Sequence, residues 1–274
     1  MGCNQEPGIN FVVAHSHEAR PIIDYYQLAK DMRHTGFNLY KNQQTRLIIS
    51  GQGRMNAAAA TAYLGGTCAL NAVSGLWVNV GVAGHADYSI GSLWRANKIT
   101  DEFSGRSNYP LALNGTNRNH RQIDGCALMT VDLPTSSYAQ RCLYDMEAAG
   151  FFQTALRFAT VETIASFKVV SDNIENPPGE IDKRSMANLV NSQIGVIAEY
   201  LHRLKDIINI NKKKQIIDIK RIKLTYSQQQ IVNDLITCLD IHKSDYTGIV
   251  SQSKDARQLI DSLSDKLKRI ELLP

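Results

Sequence analysis

The chain has 274 residues, 43% of them hydrophobic, and a formal net charge of +4 at pH 7. This length allows one large core and a smaller appendage. No apolar run approaches the roughly 18–20 residues that a membrane-spanning helix needs, so we expect a soluble protein without a membrane partner. The five cysteines form no CxxC pair. This argues against a disulfide framework or a zinc knuckle and favours a reducing, cytoplasmic location.

Short apolar segments alternate with helical patterns over the first 175 residues. This alternation is typical of a mostly parallel sheet whose strands are joined by crossover helices. The apolar segments are dense in Val, Ile, Leu and aromatic residues, as buried strands are. The predicted strands are Asn10–Ala14, Thr45–Ser50, Gly75–Val82, Ser92–Ile99, Cys126–Val131 and Ser166–Ser171. The predicted helices are Ala19–Thr35, Asn56–Asn71, Asp145–Ala159 and Lys183–Asn209.

Two parts of the chain depart from this alternation. Ser104–Asp124 is polar and irregular, and we expect a long loop that is a lid, a subunit contact or disordered. After Ile210, apolar residues recur at helical spacing, and a last helix is predicted from about Ala256 to Leu272. We therefore divide the chain into an α/β domain, residues 1–210, and a helical appendage, residues 211–274.

The appendage carries the whole surplus of positive charge, with twelve Lys/Arg against eight Asp/Glu. Such a segment can contact nucleic acid or a membrane. Because the acidic residues interleave with the basic ones, we prefer a solvated helical face. Nucleic acid is therefore not an expected partner.

A polar segment, His15-Ser16-His17-Glu18, follows the first predicted strand. Ligands of open α/β sheets bind outside the carboxyl ends of the strands, so this segment is a candidate functional site. His15 and His17 form an HxH pair, but a catalytic zinc usually needs three protein ligands and no second cluster accompanies them. We therefore expect no metal. Surface or helix-capping histidines, and a Glu18 that stabilises a helix N-terminus, are the alternative interpretations.

Glycine turns follow two further predicted strands. Ser50-Gly51-Gln52-Gly53 permits a tight turn and a close approach of the backbone to a ligand. Asn56 stands where a dinucleotide-binding fingerprint has its third glycine, so we expect no nucleotide cofactor. In Asn79-Val80-Gly81-Val82-Ala83-Gly84 a buried strand breaks into a turn, which structural glycines explain.

Carboxylates stand out at two later positions. Glu147, in Asp145-Met146-Glu147, begins a predicted helix, where a charge that favours the N-terminus is a sufficient explanation. Asp172 ends an apolar strand. A carboxylate at the end of a buried strand is harder to explain structurally, so Asp172 is a candidate catalytic residue.

Taken together, in this order and at this spacing, these segments resemble the nucleoside phosphorylase superfamily, and within it the methylthioadenosine/S-adenosylhomocysteine nucleosidases. The resemblance covers residues 9–209 and is strongest at Gly51–Ala60, Asn79–Gly84, Asp145–Glu147 and Ser171–Asp172. It implies a three-layer α/β/α fold with a central, mostly parallel mixed sheet. It also implies a purine-type nucleoside as the small-molecule substrate, no cofactor, and a homodimer or higher homo-oligomer.

The resemblance further implies a role for each matching residue. Asp172 would protonate the leaving base, and Glu18 would orient and deprotonate the attacking water. Lys168 would lie beside this carboxylate, where the nucleosidases have an Arg. Glu147 would bind the ribose hydroxyls and Met146 would pack on the sugar. The remaining substrate-binding positions implied by the resemblance are Gly81, Val82 and Asp132.

The chemistry is consistent with these roles. Glycoside cleavage passes through an oxocarbenium-like state that needs an acid on one side and a base on the other. The acid has to hold its proton near neutrality, which burial at the end of an apolar strand favours and a nearby Lys168 opposes. A single carboxylate such as Glu147 is well suited to accept both hydrogen bonds of a ribose diol.

Water rather than phosphate is the expected nucleophile. The phosphorylase branches have cations and a serine where this chain has Asn79, Val82 and Ser16-His17-Glu18, so a phosphate would meet a carboxylate. A phosphate-dependent phosphorylase is one alternative. The other is a catalytically degenerate protein that binds a nucleoside or an assembly partner, because Val82 replaces a serine and Thr130–Pro134 lacks the aromatic residue that stacks on the base.

Overall fold

The structure is a computed structural model that describes residues 8–67, 75–110, 123–178, 182–215, 222–241 and 244–271. The chain divides into two compact units, Met1–Lys205 and Asp206–Pro274. The division falls inside one long helix, Lys183–Gln215, and so does the boundary predicted after residue 210.

Within the described residues, the first unit contains a single ten-stranded mixed sheet. Its strands are β1 (Ile9–Val13), β2 (Ala29–Lys30), β3 (Asn38–Lys41), β4 (Thr45–Ile49), β5 (Leu76–Gly84), β6 (Leu93–Asp101), β7 (Ser107–Asn108), β8 (Gly125–Thr130), β9 (Leu143–Asp145) and β10 (Ile164–Asp172). The sequence predicted the six longest strands, and it missed β2, β3, β7 and β9, which are only two to four residues long.

The helices are α1 (Ser16–Tyr26), α2 (Arg54–Gly66), α3 (Ala148–Ala155), α4 (Lys183–Gln215), α5 (Tyr226–Ile241), α6 (Thr247–Gln252) and α7 (Ala256–Glu271). In the second unit, residues of α5, α6 and α7 share one hydrophobic core at the spacing predicted from the sequence; its buried members include Ile236, Leu239, Val250, Leu259 and Leu263. No helix in the described part of the chain is both long and apolar enough to cross a membrane.

The central strand, β5, pairs in parallel with β1 and with β10. β10 continues to β6, β6 to β8, β8 to β9, and β9 returns to β5, so these five strands close into a ring of pairings. On the other side of β1 lie β4, β3 and β2. Because β1, β5 and β10 run in the same direction, their carboxyl ends meet at one edge of the sheet.

Helices cover both faces of this sheet. Val12 of β1 belongs to the same buried cluster as Leu64 of α2. The adjacent Phe11 contacts Tyr26 of α1, with ring centroids 5.4 Å apart. Successive side chains of a strand point to opposite faces, so α1 and α2 lie on opposite sides of the sheet. The predicted three-layer α/β/α fold is confirmed.

The helix predicted over Ala19–Thr35 is confirmed as far as Tyr26 and is wrong beyond it. α1 ends at Tyr26, and the following Gln27 adopts a left-handed conformation with φ of 52°. The chain then forms the antiparallel β2–β3 hairpin at the edge of the sheet. The periodicity of apolar residues predicted a helix here and did not indicate that β2 pairs with β3.

A buried carboxylate stabilises the hairpin. Asp31 lies between β2 and β3, and its Oδ2 is 2.7 Å from Arg33 Nη2 and 2.8 Å from Lys41 Nζ. These hydrogen bonds hold the pKa of Asp31 well below its usual value, with the bond from Arg33 as the largest cause. The two cations therefore tie the turn to the strand that follows it.

Other predicted boundaries shift by a few residues. Asp145 ends β9, and α3 begins only at Ala148, so the helix predicted from Asp145 starts later and ends earlier. The predicted loop Ser104–Asp124 contains the short strand β7, which pairs with β6. Residues 111–122 of this loop and residues 68–71 of the predicted second helix lie outside the described residues.

Candidate active site

A cavity of about 480 Å³ opens where the carboxyl ends of β1, β5 and β10 meet. This volume is within the range of small-molecule sites. The predicted site residues that line it are Glu18, Val82, Met146, Glu147 and Asp172. The lining also includes His15, Gln52, Gly84, Tyr144, Asp145 and Ser171.

Glu18 lies in the first turn of α1, and its side chain is buried. Its Oε1 accepts a hydrogen bond from the backbone N–H of Val82, and its Oε2 accepts one from the backbone N–H of His15, each 3.0 Å long. A Cβ atom added at Gly81 would lie 3.2 Å from Glu18 Oε1. Gly81 thus leaves room for the carboxylate, whose plane the two backbone bonds fix.

Lys168 is completely buried behind the cavity, with its Nζ 2.8 Å from Asp145 Oδ2. Burial alone lowers the pKa of Lys168, but the charges of Asp145, Glu147 and Glu18 outweigh it and raise this pKa above its usual value. Lys168 is therefore a permanent cation enclosed by carboxylates.

Asp145 links this cation to α3. Its Oδ1 accepts a hydrogen bond from Thr130 Oγ1 (2.7 Å), and its Oδ2 accepts bonds from the backbone N–H groups of Ala148 (2.8 Å) and Glu147 (3.3 Å). No role for Asp145 was predicted from the sequence. The available signal was its position two residues before Glu147, where a carboxylate can accept bonds from the first N–H groups of a helix.

Glu147 is buried at the cavity, and its pKa is shifted. Its Oε1 accepts a 2.9 Å hydrogen bond from the backbone N–H of Gly53, which has φ of 103° and so a conformation that favours glycine. Burial raises the pKa of Glu147 to about 7; Lys168 opposes this shift and Asp145 adds to it. Glu147 thus changes its charge near neutral pH.

Met146 and the glycine turn lie beside Glu147. The Sδ atom of Met146 is 2.8 Å from Gln52 Nε2. Two contacts, one from Gln52 and one from Gly53, therefore attach the turn after β4 to the segment that precedes α3. This is where the sequence predicted sugar-binding residues.

Asp172 ends β10, half-buried, and two hydroxyl groups hold its carboxyl group. Ser171 Oγ donates to Oδ1 and the Tyr138 hydroxyl donates to Oδ2, each at 2.5 Å. A Cβ atom at Gly84 would overlap Asp172 Oδ2 and crowd the Tyr138 ring, so glycine is required for this close approach. Burial, reinforced by Asp172, raises the pKa of Tyr138, and its hydroxyl keeps its proton at neutral pH.

The structure does not bring every predicted residue to the cavity. Lys168 and Gly81 lie behind it, next to Glu18. Asp132, expected to bind substrate, is instead exposed, and its Oδ2 pairs with Arg54 Nη2 at 3.1 Å. Its segment turns the carboxylate towards α2 and away from the lining.

Two tyrosines were missed by sequence reasoning. Tyr144 lines the cavity and supplies an aromatic surface that the predicted base-binding segment lacks. Tyr138 contacts Asp172 across 34 residues of sequence. No local pattern marks either residue, because both act through contacts made only in the folded chain.

Nucleosidases are among the solved structures that resemble this one. The 5′-methylthioadenosine nucleosidase of Arabidopsis thaliana superposes with a TM-score of 0.59 at 15% identity, over 73% of this chain and 97% of that chain. The methylthioadenosine/S-adenosylhomocysteine nucleosidase of Colwellia psychrerythraea, in complex with adenine, gives 0.52 at 17% identity, over 70% and 96%. The Neisseria meningitidis nucleosidase, with methylthio-immucillin-A, gives 0.52 at 16% identity, over 71% and 99%. The chain has the fold of these nucleosidases.

This likeness confirms, at the level of the fold, the resemblance inferred from the sequence motifs. No protein-family model matches the sequence, and no curated protein matches it. At 15–17% identity the shared nucleosidase fold does not by itself establish the reaction.

The HxH pair lies at this cavity too. His15 is part of its lining, and its ring stacks on His17 with centroids 5.0 Å apart. In the described part of the chain, no three His, Cys, Asp or Glu side chains are placed to hold one metal ion. The stacked pair thus borders the cavity, and the described residues offer no third metal ligand beside it.

Proposed function

We propose that this protein hydrolyses the N-glycosidic bond of a purine-type nucleoside, acting in the cytoplasm as a homodimer. The observation that carries the proposal is the meeting of Glu18, Glu147 and Asp172 at one cavity. Each carboxyl group has different hydrogen-bond donors: backbone N–H groups for Glu18, one backbone N–H for Glu147, and hydroxyl groups for Asp172. Different environments allow carboxylates to take different roles in one reaction.

Asp172 is the general acid. As the C–N bond breaks, its electron pair passes to the base, and the proton of Asp172 moves to a ring nitrogen. This transfer makes the base a neutral leaving group, which lowers the barrier to an oxocarbenium-like state. The hydroxyl groups of Ser171 and Tyr138 hold the carboxyl group in place during the transfer.

Glu18 is the general base. Each of its oxygens accepts one backbone hydrogen bond and has a second acceptor position for water. The water oxygen bonds to the anomeric carbon while its proton moves to Glu18. The fixed plane of the carboxylate orients the water, and such orientation is a large part of catalytic rate enhancement.

Glu147 binds the ribose hydroxyls. A carboxylate accepts two hydrogen bonds from a diol, and burial strengthens both. Met146, one residue earlier, lines the same part of the cavity and packs on the sugar.

Two observations support water over phosphate as the nucleophile. No Lys or Arg is among the described residues that line the cavity. Lys168, a cation close to Glu18, is buried and paired with Asp145. A phosphate dianion beside Glu18 would meet a like charge without a counter-charge, which is unfavourable.

A panel of purine nucleosides incubated with the full chain, with and without phosphate, tests the reaction. Chromatography measures the free base and the sugar product. We expect base release that phosphate does not accelerate, and a sugar with a free anomeric hydroxyl. A sugar 1-phosphate as the main product would establish a phosphorylase instead.

The Asp172→Asn variant tests the acid. General acid–base catalysis contributes roughly 10²–10⁴-fold, so we expect kcat to fall by about this factor while nucleoside affinity stays within about tenfold. Asp24→Asn is the matched control, because Asp24 is an exposed carboxylate that pairs with Arg20 on α1, outside the cavity lining. An Asp172→Asn enzyme with the parent rate would show that another group is the acid.

A further inference from the structure

Tyr138 is buried, and in the proposed reaction it only holds the carboxyl group of Asp172 in place. It lies between β8 and β9 with φ of 37°, a left-handed conformation that non-glycine residues rarely adopt. Backbone strain of this kind persists only where the surroundings fix it. Residues with such strain are often found at functional sites.

The surroundings of Tyr138 do fix it. The Tyr144 hydroxyl accepts a hydrogen bond from the backbone N–H of Gln140 (2.8 Å) and donates one to its carbonyl oxygen (3.3 Å). The rings of Tyr138 and Tyr144 meet edge to face with centroids 5.7 Å apart. Gly84 has no side chain to obstruct the approach of Tyr138 to Asp172. The loop is thus anchored to β9 so that one hydroxyl points at one carboxyl oxygen.

This geometry matters most at the moment of proton transfer. A protonated carboxyl group gains little from an added hydrogen-bond donor, whereas a carboxylate gains considerably more. When Asp172 gives its proton to the base, negative charge develops on the oxygens that the hydroxyls already contact. A fixed donor aimed at developing charge stabilises the transition state more than the ground state.

We propose that Tyr138 is a positioning residue that accelerates catalysis by stabilising the Asp172 carboxylate formed when the base is protonated. This inference rests on the proposed function, in which Asp172 is the general acid. Tyr138 does not line the cavity and acts on the substrate only through Asp172.

The first test is Tyr138→Phe, which removes only the hydroxyl. At the lower end of its range, a hydrogen bond to a charged group contributes enough for about a tenfold effect, so we expect kcat to fall by up to about tenfold and KM to stay within about threefold. Tyr63→Phe is the matched control, since it removes another tyrosine hydroxyl bond of the first unit, a 2.9 Å bond to His34 outside the cavity lining. We expect the parent rate for this control.

The pH profile distinguishes the proposed role from a structural one. Without the donor, the carboxylate is less stable, so Asp172 holds its proton to higher pH. The alkaline limb of kcat/KM, which reports the acid of the free enzyme, then moves up by about one pH unit. The other titratable groups that face the cavity, His15, Glu18, Tyr144, Asp145 and Glu147, and the adjacent His85, are the same side chains in both enzymes, and only the donor to Asp172 differs.

A double-mutant cycle isolates the pair. Asparagine at 172 forms no carboxylate, so Tyr138→Phe should slow the Asp172→Asn enzyme by less than about twofold. An equal loss in both backgrounds, an unshifted alkaline limb, or a change confined to KM would overturn the role of Tyr138.

A measurement that needs no turnover separates this inference from the proposed function. In a chain with ¹³C-labelled aspartate carboxyl groups, the Asp172 resonance is assigned by its loss in Asp172→Asn. Its titration midpoint should rise by about one pH unit in Tyr138→Phe and stay unchanged in Tyr63→Phe. A shifted midpoint in an enzyme that releases no base would refute the proposed hydrolysis, whereas an active enzyme with an unshifted midpoint would refute the Tyr138 inference.

Discussion

Replacing Lys168 with methionine tests whether one buried cation holds the carboxylates of the cavity together. Methionine has a similar length and no charge, so Asp145 loses its partner at 2.8 Å. Asp145 keeps its bonds from Thr130 and Ala148, but its charge stays buried. Removing one partner of a buried ion pair costs about 3–5 kcal/mol. We expect the free energy of unfolding of the first unit to fall by this amount, and its Tm to fall on the order of 10 °C.

Tryptophan fluorescence during urea unfolding is a suitable assay. The chain has two tryptophans, Trp77 in β5 and Trp94 in β6, so the signal reports the first unit alone. Lys168→Arg, which keeps the charge, should lose much less stability than Lys168→Met. Adding Asp145→Asn to Lys168→Met should recover part of the loss, because the unpaired charge is then removed. A loss below about 1 kcal/mol at an unchanged m-value would show that the pair does not stabilise the cluster.

Three further predictions concern Glu147, Gly84 and the second unit. The pKa of Glu147 is raised to about 7 from the usual 4.5, so its contribution to stability is complete below pH 4.5 and is lost as the pH rises through 7. The urea concentration at the midpoint of unfolding should therefore fall between pH 5 and pH 8. This fall should be smaller in Glu147→Gln, which cannot ionise at this position. Gly84→Ala should lower kcat at least tenfold, since the new methyl group overlaps Asp172 Oδ2. A variant with the kcat of the parent enzyme would show that the carboxyl group moves aside without cost. Truncation after Gln215, at the end of α4, should leave a folded first unit that still binds nucleoside. A circular dichroism spectrum of an unfolded chain, or loss of nucleoside binding by a folded one, would show that the first unit needs residues 216–274.

The sequence was sufficient to predict the central strands and the order of the site segments. Strands such as β5 and β10 are buried on both faces, so apolar residues predominate in them and the pattern is visible locally. The carboxylate Asp172 stands out because it interrupts such a pattern at a strand end. Its proximity to Glu18 follows from the parallel pairing of β1, β5 and β10, which the α/β alternation predicts.

Only the tertiary structure decided which partners the polar and charged side chains of the site have. The sequence does not show that Asp145 neutralises Lys168 or that Tyr138 donates to Asp172, because each pair joins segments that meet only after the sheet has formed. The exposed position of Asp132, which pairs with Arg54, is likewise visible only in the folded chain. Local composition fixes which side chains leave water, since burial depends on hydrophobicity. The pairing of buried charges depends on distances of a few ångströms between distant segments, and those distances are set by the packing of the whole sheet.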